Sequence, residues 1–222
     1  MAGPAYLDTC TLYGANVTDT ILRLAERGAF EPRWSPDVMR ELRKNLIESG
    51  LASDKVDRRI DHMQEAFPNA DVRDYQHLEG SLTCDSKDRH VLAAAIRSQC
   101  QDLVTFNLKD FPKSSTEPHG VNVIHPDAFL KRQLEADPRG VVDVLEQQAA
   151  VRQRPPMSVH QLVDKLERAG VPGFAADVRT HLGPRDPTEG LAPAQNAAQA
   201  PESAPDARRQ TDRTGPDLGH QR

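Results

Sequence analysis

The stretch Ser86-Lys87-Asp88-Arg89-His90-Val91-Leu92-Ala93-Ala94-Ala95-Ile96-Arg97-Ser98-Gln99, followed at once by Asp102-Leu103-Val104-Thr105-Phe106, decides the fold. In its first part Val91, Leu92, Ala95 and Ile96 recur at helical spacing and give one apolar face, so a helix is expected over residues 86–99. Its second part is a short apolar run, as expected of a buried strand. A helix that feeds directly into such a strand is the core of a parallel βαβ unit.

Working outward, the alternation repeats. Residues 5–8, Ala5-Tyr6-Leu7-Asp8, form an apolar run ending in an acid. Val17, Ile21, Leu22 and Leu24 then mark a helical stretch that reaches Gly28. Ser35 is a helix cap, Pro36 suits the first helical position, and Val38, Leu42 and Leu46 follow at intervals of four, with the helix ending near Gly50. A third helix is expected over 54–67, with Val56, Ile60 and Met63 on its apolar side and Pro68 as its stop. Residues 71–75 read as a short strand or extended link, and a polar loop reaches Asp85. Beyond the central strand, residues 107–111 form a turn stopped by Pro112, and 121–124 is another strand-like run. Helical patterns then cover 126–135, 141–151, 158–169 and 172–181.

Three regions follow: an α/β domain over residues 1–125, a helical C-terminal extension over 126–183 and a disordered tail over 184–222. The tail carries six prolines, and its large apolar side chains are two, Leu191 and Leu218, too few for a core. The whole chain has 28 Lys and Arg against 33 Asp and Glu, a net charge of −5. That balance excludes a protein that coats nucleic acid by bulk positive charge. No apolar run approaches the length of a membrane span, and residues 1–15 lack the pattern of a signal peptide, so a cytoplasmic protein is expected. Cys10, Cys84 and Cys100 lack metal-ligand or paired spacing and read as reduced thiols at or near the core. Glycine-rich phosphate loops, nucleophile elbows and internal repeats are missing from the chain.

In an open parallel sheet, ligands collect outside the carboxyl ends of the strands. Asp8 closes the first strand, and Asn107 with Asp110 follows the 102–106 strand. Asp88 lies in the first turn of the preceding helix, and Glu41 sits at the margin of the Val38, Leu42, Leu46 stripe. Acids that meet in one cleft repel each other unless a cation sits among them, and hard oxygen donors suit Mg²⁺, with Mn²⁺ as its substitute. The chemistry implied is metal-assisted phosphoryl transfer or hydrolysis.

These residues also resemble a known family, the PIN-domain ribonucleases, and in particular the VapC-type toxins of type II toxin–antitoxin systems. The resemblance is carried by Tyr6-Leu7-Asp8-Thr9, by Trp34-Ser35-Pro36-Asp37-Val38-Met39-Arg40-Glu41-Leu42, by Asp88-Arg89-His90-Val91-Leu92-Ala93-Ala94-Ala95, and by Val104-Thr105-Phe106-Asn107-Leu108-Lys109-Asp110-Phe111-Pro112. It covers roughly residues 5–125. It implies a three-layer α/β/α sandwich with a central parallel sheet, and a Mg²⁺-dependent endoribonuclease that cuts single-stranded RNA. Carried over by position, Asp8, Glu41 and Asp88 are the catalytic and metal-site acids, and the following turn offers Asn107 and Asp110 to the metal. The resemblance further implies a cognate antitoxin as partner and pairing into a homodimer through helices that flank the sheet.

The expected roles are physical. Asp8 and Asp88 ligate the ion, and Glu41, directly or through water, helps deprotonate the attacking water. Thr9 steadies a carboxylate from the second layer. Arg40, Lys44, Lys87, Arg89 and Arg97 are candidates for phosphate contacts. Plainer roles compete with these. Asp88 suits a helix cap, Glu41 a surface acid paired with Lys44 or Asn45, Asp8 an N-cap, Asn107 a turn residue and Asp110 a surface acid. His90 and Trp34 read as packing residues. One rival function is a catalytically weak PIN-like module that binds RNA or protein. Another, a phosphohydrolase of different fold, needs an Asp-x-Asp-x-Thr signature that Cys10 breaks.

Overall fold

The computed structural model describes residues 3–152 and 155–184. The expected disordered tail, from residue 185 on, lies outside the described residues. Strand β1 (Pro4–Leu7) leads through α1 (Thr9–Tyr13) and α2 (Ala15–Glu26) to β2 (Glu31–Arg33). Helices α3 (Pro36–Glu48), α4 (Ser53–Ala66), α5 (Gln76–Glu79) and α6 (Arg89–Arg97) precede β3 (Asp102–Val104). A 3₁₀ turn (Leu108–Asp110), α7 (Lys113–Thr116) and a second 3₁₀ turn (Glu117–His119) lead to β4 (Asn122–Ile124). Four helices follow: α8 (Pro126–Ala136), α9 (Pro138–Ala150), α10 (Val159–Arg168) and α11 (Pro172–His181).

The strands form one parallel sheet in the order β2-β1-β3-β4. Tyr6, Leu7, Leu103 and Val104 on the two central strands are fully buried, as a sheet covered by helices on both faces requires. The chain is an α/β/α sandwich, as the resemblance implies. It leaves β1 for β2 on one side and later returns to β3 on the other. The carboxyl ends of β1 and β3 therefore flank the topological switch point, where open sheets of this kind form a crevice.

Several local expectations need correction. The first helical stretch is two helices, broken where Gly14 turns extended (φ −74°, ψ 111°). Arg59, half-withdrawn from water, closes the end of α1 by donating to the carbonyl oxygens of Leu12 (2.7 Å) and Tyr13 (3.5 Å). Helix α6 begins at Arg89, since residues 85–88 form a turn in which Asp85 accepts the Lys87 N–H, and it ends before Gln99, whose φ is +52°. Strand β2 carries Pro32, a residue that argues against a strand interior and is tolerated because β2 lies at the sheet edge. The 71–75 segment contributes one bridge, between Trp34 and Asp71. Strand β3 stops at Val104, two residues short of the expected end, although the Thr105 N–H still bonds to the Ile124 carbonyl.

The C-terminal helices share the core of the sheet domain. Helix α9 packs on α2, and the buried Thr20 hydroxyl donates to Gln148 Oε1 at 2.7 Å while Gln148 Nε2 donates to the Asn16 carbonyl at 3.0 Å. The Phe30 and Phe129 rings meet edge to face at 4.9 Å, as do Phe106 and His125 at 4.8 Å. Asp127 accepts the Phe174 N–H at 2.8 Å, which caps the start of α11. Gly170, at φ +96°, lies so close to Phe106 that a Cβ there would sit 3.0 Å from the ring.

Candidate active site

Asp8 follows β1 directly and is the N-cap of α1, accepting the Thr9 N–H at 2.6 Å. Its backbone N–H still bonds to Val104 across the ladder, so the carboxylate is fixed at the junction of β1 and β3. The other carboxylate oxygen accepts from the Thr105 hydroxyl at 2.7 Å and from the Cys10 thiol at 3.0 Å. Asp8 is only 7% exposed, and these donors offset the cost of burying its charge. Thr105, fully buried, also accepts the Asn107 N–H at 3.0 Å and so ties Asp8 to the turn that follows β3.

Glu41 projects from α3, where Ser35 caps the helix by accepting the Val38 N–H and Pro36 opens it. Its partners differ from those expected of a surface acid. One carboxylate oxygen accepts from Thr9 at 2.8 Å, and the other lies 3.7 Å from His90 Nε2, a buried atom with no hydrogen-bond partner. Lys44 instead neighbours Glu48 at 3.9 Å.

Asp88 occupies the N-cap position of α6 yet makes no capping bond with its side chain. Its carboxyl is pushed up from 3.8 to about 6, chiefly by burial, then by the charges of Asp110, Asp8 and Asp85. Asp110 and Asp8 therefore face Asp88 closely enough for their charges to be felt. Cys10, in the same wall, is driven up to about 12 by burial and by Asp8, which leaves it a neutral donor.

Asp8, Glu41, Asp88 and Asn107, together with Thr9, Cys10, Tyr13 and Asn45, line one cleft of about 290 Å³. Asp110 stands behind this lining, half-buried in the 3₁₀ turn. The basic candidates are placed less directly. Arg40 is exposed and paired with Asp37, Lys44 is exposed on the same helix, and Arg89 donates to the Cys84 carbonyl at 3.4 Å. Lys87 and Arg97 bracket α6 without a place in the lining.

Among the described residues, no three His, Cys, Asp or Glu side chains sit close enough to enclose an ion unaided. The donor set nonetheless fits a hard divalent cation. Asp8, Glu41, Asp88 and Asn107 offer oxygen donors, three of them acidic, and burial together with the charges of Asp110, Asp8 and Asp85 makes the Asp88 carboxylate costly to hold without a cation. Mg²⁺ in particular takes one or two carboxylates and keeps several waters, which a cleft of this size accommodates.

Three lining residues lie outside the set that the sequence points to: Cys10, Tyr13 and Asn45. For the last two a signal existed, since Tyr13 lies four residues after Thr9 and Asn45 four after Glu41, on the same helical faces. Thr105 was visible as a polar residue closing a buried strand. Its pairing with Asp8 depends on the register Leu7 to Val104, which no local pattern specifies.

A parallel sheet with an acid-lined crevice at its switch point defines the class, and residues 5–109 match the family described as PIN domain. Residues 126–180 match the family described as VapC50 C-terminal domain. The chain is also 38% identical over 105 residues to the protein named Putative ribonuclease VapC50 of Mycobacterium tuberculosis, a match covering 47% of this chain and 62% of that relative's length. Residues 5–109 thus carry a PIN domain, and residues 126–180 are similar to the C-terminal domain of VapC50. No solved structure matches it with significance. No helix among the described residues is long and apolar enough to cross a membrane.

Proposed function

We propose that this protein is a Mg²⁺-dependent endoribonuclease that acts in the cytoplasm as the toxin of a toxin–antitoxin pair. The observation that carries the reading is the convergence of Asp8, Glu41 and Asp88 on one cleft at the ends of β1 and β3. Asp8 and Asp88 would hold the ion, with Asn107 or Asp110 completing the ligand set, and Mn²⁺ could replace Mg²⁺. A bound divalent ion polarises a phosphodiester and lowers the pKa of water at its side.

The chain's own residues do the rest. Thr105, Cys10 and the Thr9 N–H hold the Asp8 carboxylate in a single orientation. Thr9 steadies one oxygen of Glu41, leaving the other toward His90 and the cleft, where it can take a proton from the attacking water. Exposed Arg40 and Lys44 lie on the same helix as Glu41 and suit contacts to the RNA backbone. An antitoxin would complement the cleft's negative charge with a basic side chain.

The direct test is cleavage of single-stranded RNA by the purified chain with Mg²⁺ and with EDTA, beside Asp8→Asn and Asp88→Asn. Cleavage that needs the metal and falls at least 100-fold in both variants is expected. Metal-independent cutting, or full activity in both variants, excludes the mechanism. One observation favours the rival reading of a weak RNA- or protein-binding module: no three acids form a ready-made ligand set among the described residues. RNA binding without Mg²⁺-dependent cutting would select it. Co-purification with the product of a small neighbouring gene tests the antitoxin.

A further inference from the structure

The acid-lined cleft has a second tier. Its walls are α1 and α3, packed against each other. Thr9 and Glu41 form the first tier and are hydrogen-bonded across it at 2.8 Å. Tyr13 and Asn45 follow four residues later on each helix, about one turn or ~5.4 Å from the first pair, and they line the same cleft. Tyr13 is 41% exposed, the only aromatic among the large exposed apolar side chains of the described residues. No other ring packs against it, and the Asn45 carboxamide has no hydrogen-bond partner among the described residues. The Arg59 guanidinium holds the Tyr13 carbonyl and that of Leu12, so the ring is carried on a fixed stretch of backbone.

We propose that Tyr13 is a stacking platform for one base of a single-stranded RNA, next to the phosphate held at the acids, and that Asn45 hydrogen-bonds the edge of that base. This rests on the ribonuclease reading and adds how the substrate is held. An open aromatic face beside a polar edge reader is how proteins bind unpaired bases, and a base within a duplex cannot reach such a ring. The cleft carries net negative charge, so the polyanion cannot be drawn in by charge alone. Stacking supplies attraction that does not depend on sign. The base next to the cut must therefore be free to leave its neighbours and lie on the Tyr13 ring.

The test uses the full chain in EDTA, where cleavage is silent, and short single-stranded RNAs carrying 2-aminopurine at successive positions. Wild type should quench the probe at one position next to the cleavage site. Tyr13→Leu should lose that quench and weaken binding by about 5- to 100-fold, whereas Tyr13→Phe, which keeps the ring, should restore both. With Mg²⁺, Tyr13→Leu should raise KM by a similar factor and leave kcat within a few-fold, and a duplex of the same sequence should bind all three proteins equally weakly. Tyr13→Leu binding as wild type does, while wild type cuts with Mg²⁺, would overturn the stacking and leave the nuclease reading standing. Wild type that neither binds nor cuts RNA would overturn both. Equal loss in Tyr13→Leu and Tyr13→Phe would assign the contact to the hydroxyl and overturn the stacking, and loss of antitoxin binding with RNA affinity intact would assign the ring to a protein contact instead.

Discussion

Replacing Asp88 with asparagine should stabilise the metal-free protein, and by an amount that depends on pH. In the folded chain the Asp88 carboxyl is raised from 3.8 to about 6 by burial and by Asp110 and Asp8. A carboxyl raised in this way favours the folded state fully below its unfolded pKa and loses that contribution as pH climbs through its folded value. The window is therefore about pH 4 to 6. Two pKa units correspond to about 3 kcal/mol for a fully desolvated group. Asp88 is only half-buried, and solvent screening reduces the figure to about 1 to 1.5 kcal/mol. Asparagine carries no charge to lose. Urea unfolding in EDTA, followed through the buried Trp34, should give nearly equal stabilities at pH 4 and an advantage of about 1 to 1.5 kcal/mol for Asp88→Asn at pH 7.5. Added Mg²⁺ should then reverse the order, since a ligand at 100 times its Kd contributes about 2.7 kcal/mol to the form that binds it. A difference that stays flat from pH 4 to 7.5, or a wild type more stable than the variant at pH 7.5 in EDTA, would refute the electrostatic reasoning.

Other consequences are as direct. Thr105→Val removes a donor from buried Asp8, and RNA cleavage should fall about 10- to 100-fold, read by initial rates at saturating Mg²⁺, with a loss of about 1 to 2 kcal/mol in urea unfolding. Thr20→Val leaves Gln148 without its buried partner and should cost about 1 to 3 kcal/mol by the same measurement, with cleavage per folded molecule unchanged. Leu103→Ala, in the centre of the sheet, should cost about 2 to 5 kcal/mol and lower the thermal midpoint accordingly.

Long elements with strong ends were legible from residues alone. Ser35 with Pro36 marks the start of α3, and Pro172 opens α11 where the apolar pattern resumes. Strand β2 was not, because three residues including a proline carry too little periodicity to register. The start of α6 is not legible because Asp85, Ser86 and Asp88 are all chemically able to begin a helix, and only the fold decides that Asp85 takes the turn while Asp88 faces its fellow acids. Asp8, Glu41 and Asp88 could each be proposed from position and company. That Thr9 bonds Glu41, and that Cys10 serves as a donor to Asp8, follows from contacts between α1, α3 and β3, which are properties of the folded chain and not of any window along it.

The bond between Thr20 and Gln148 joins residues 128 positions apart in a place water does not reach. Its consequence is practical. A shortened chain ending before α8 would take Gln148 from Thr20, leaving its hydroxyl only the Asn16 carbonyl, strip Phe30 of the ring it leans on and turn the greasy flank of α2 to solvent. Such a fragment would aggregate at concentrations where the longer chain stays dispersed, so anyone dissecting this fold should keep residues up to His181 and vary single side chains instead.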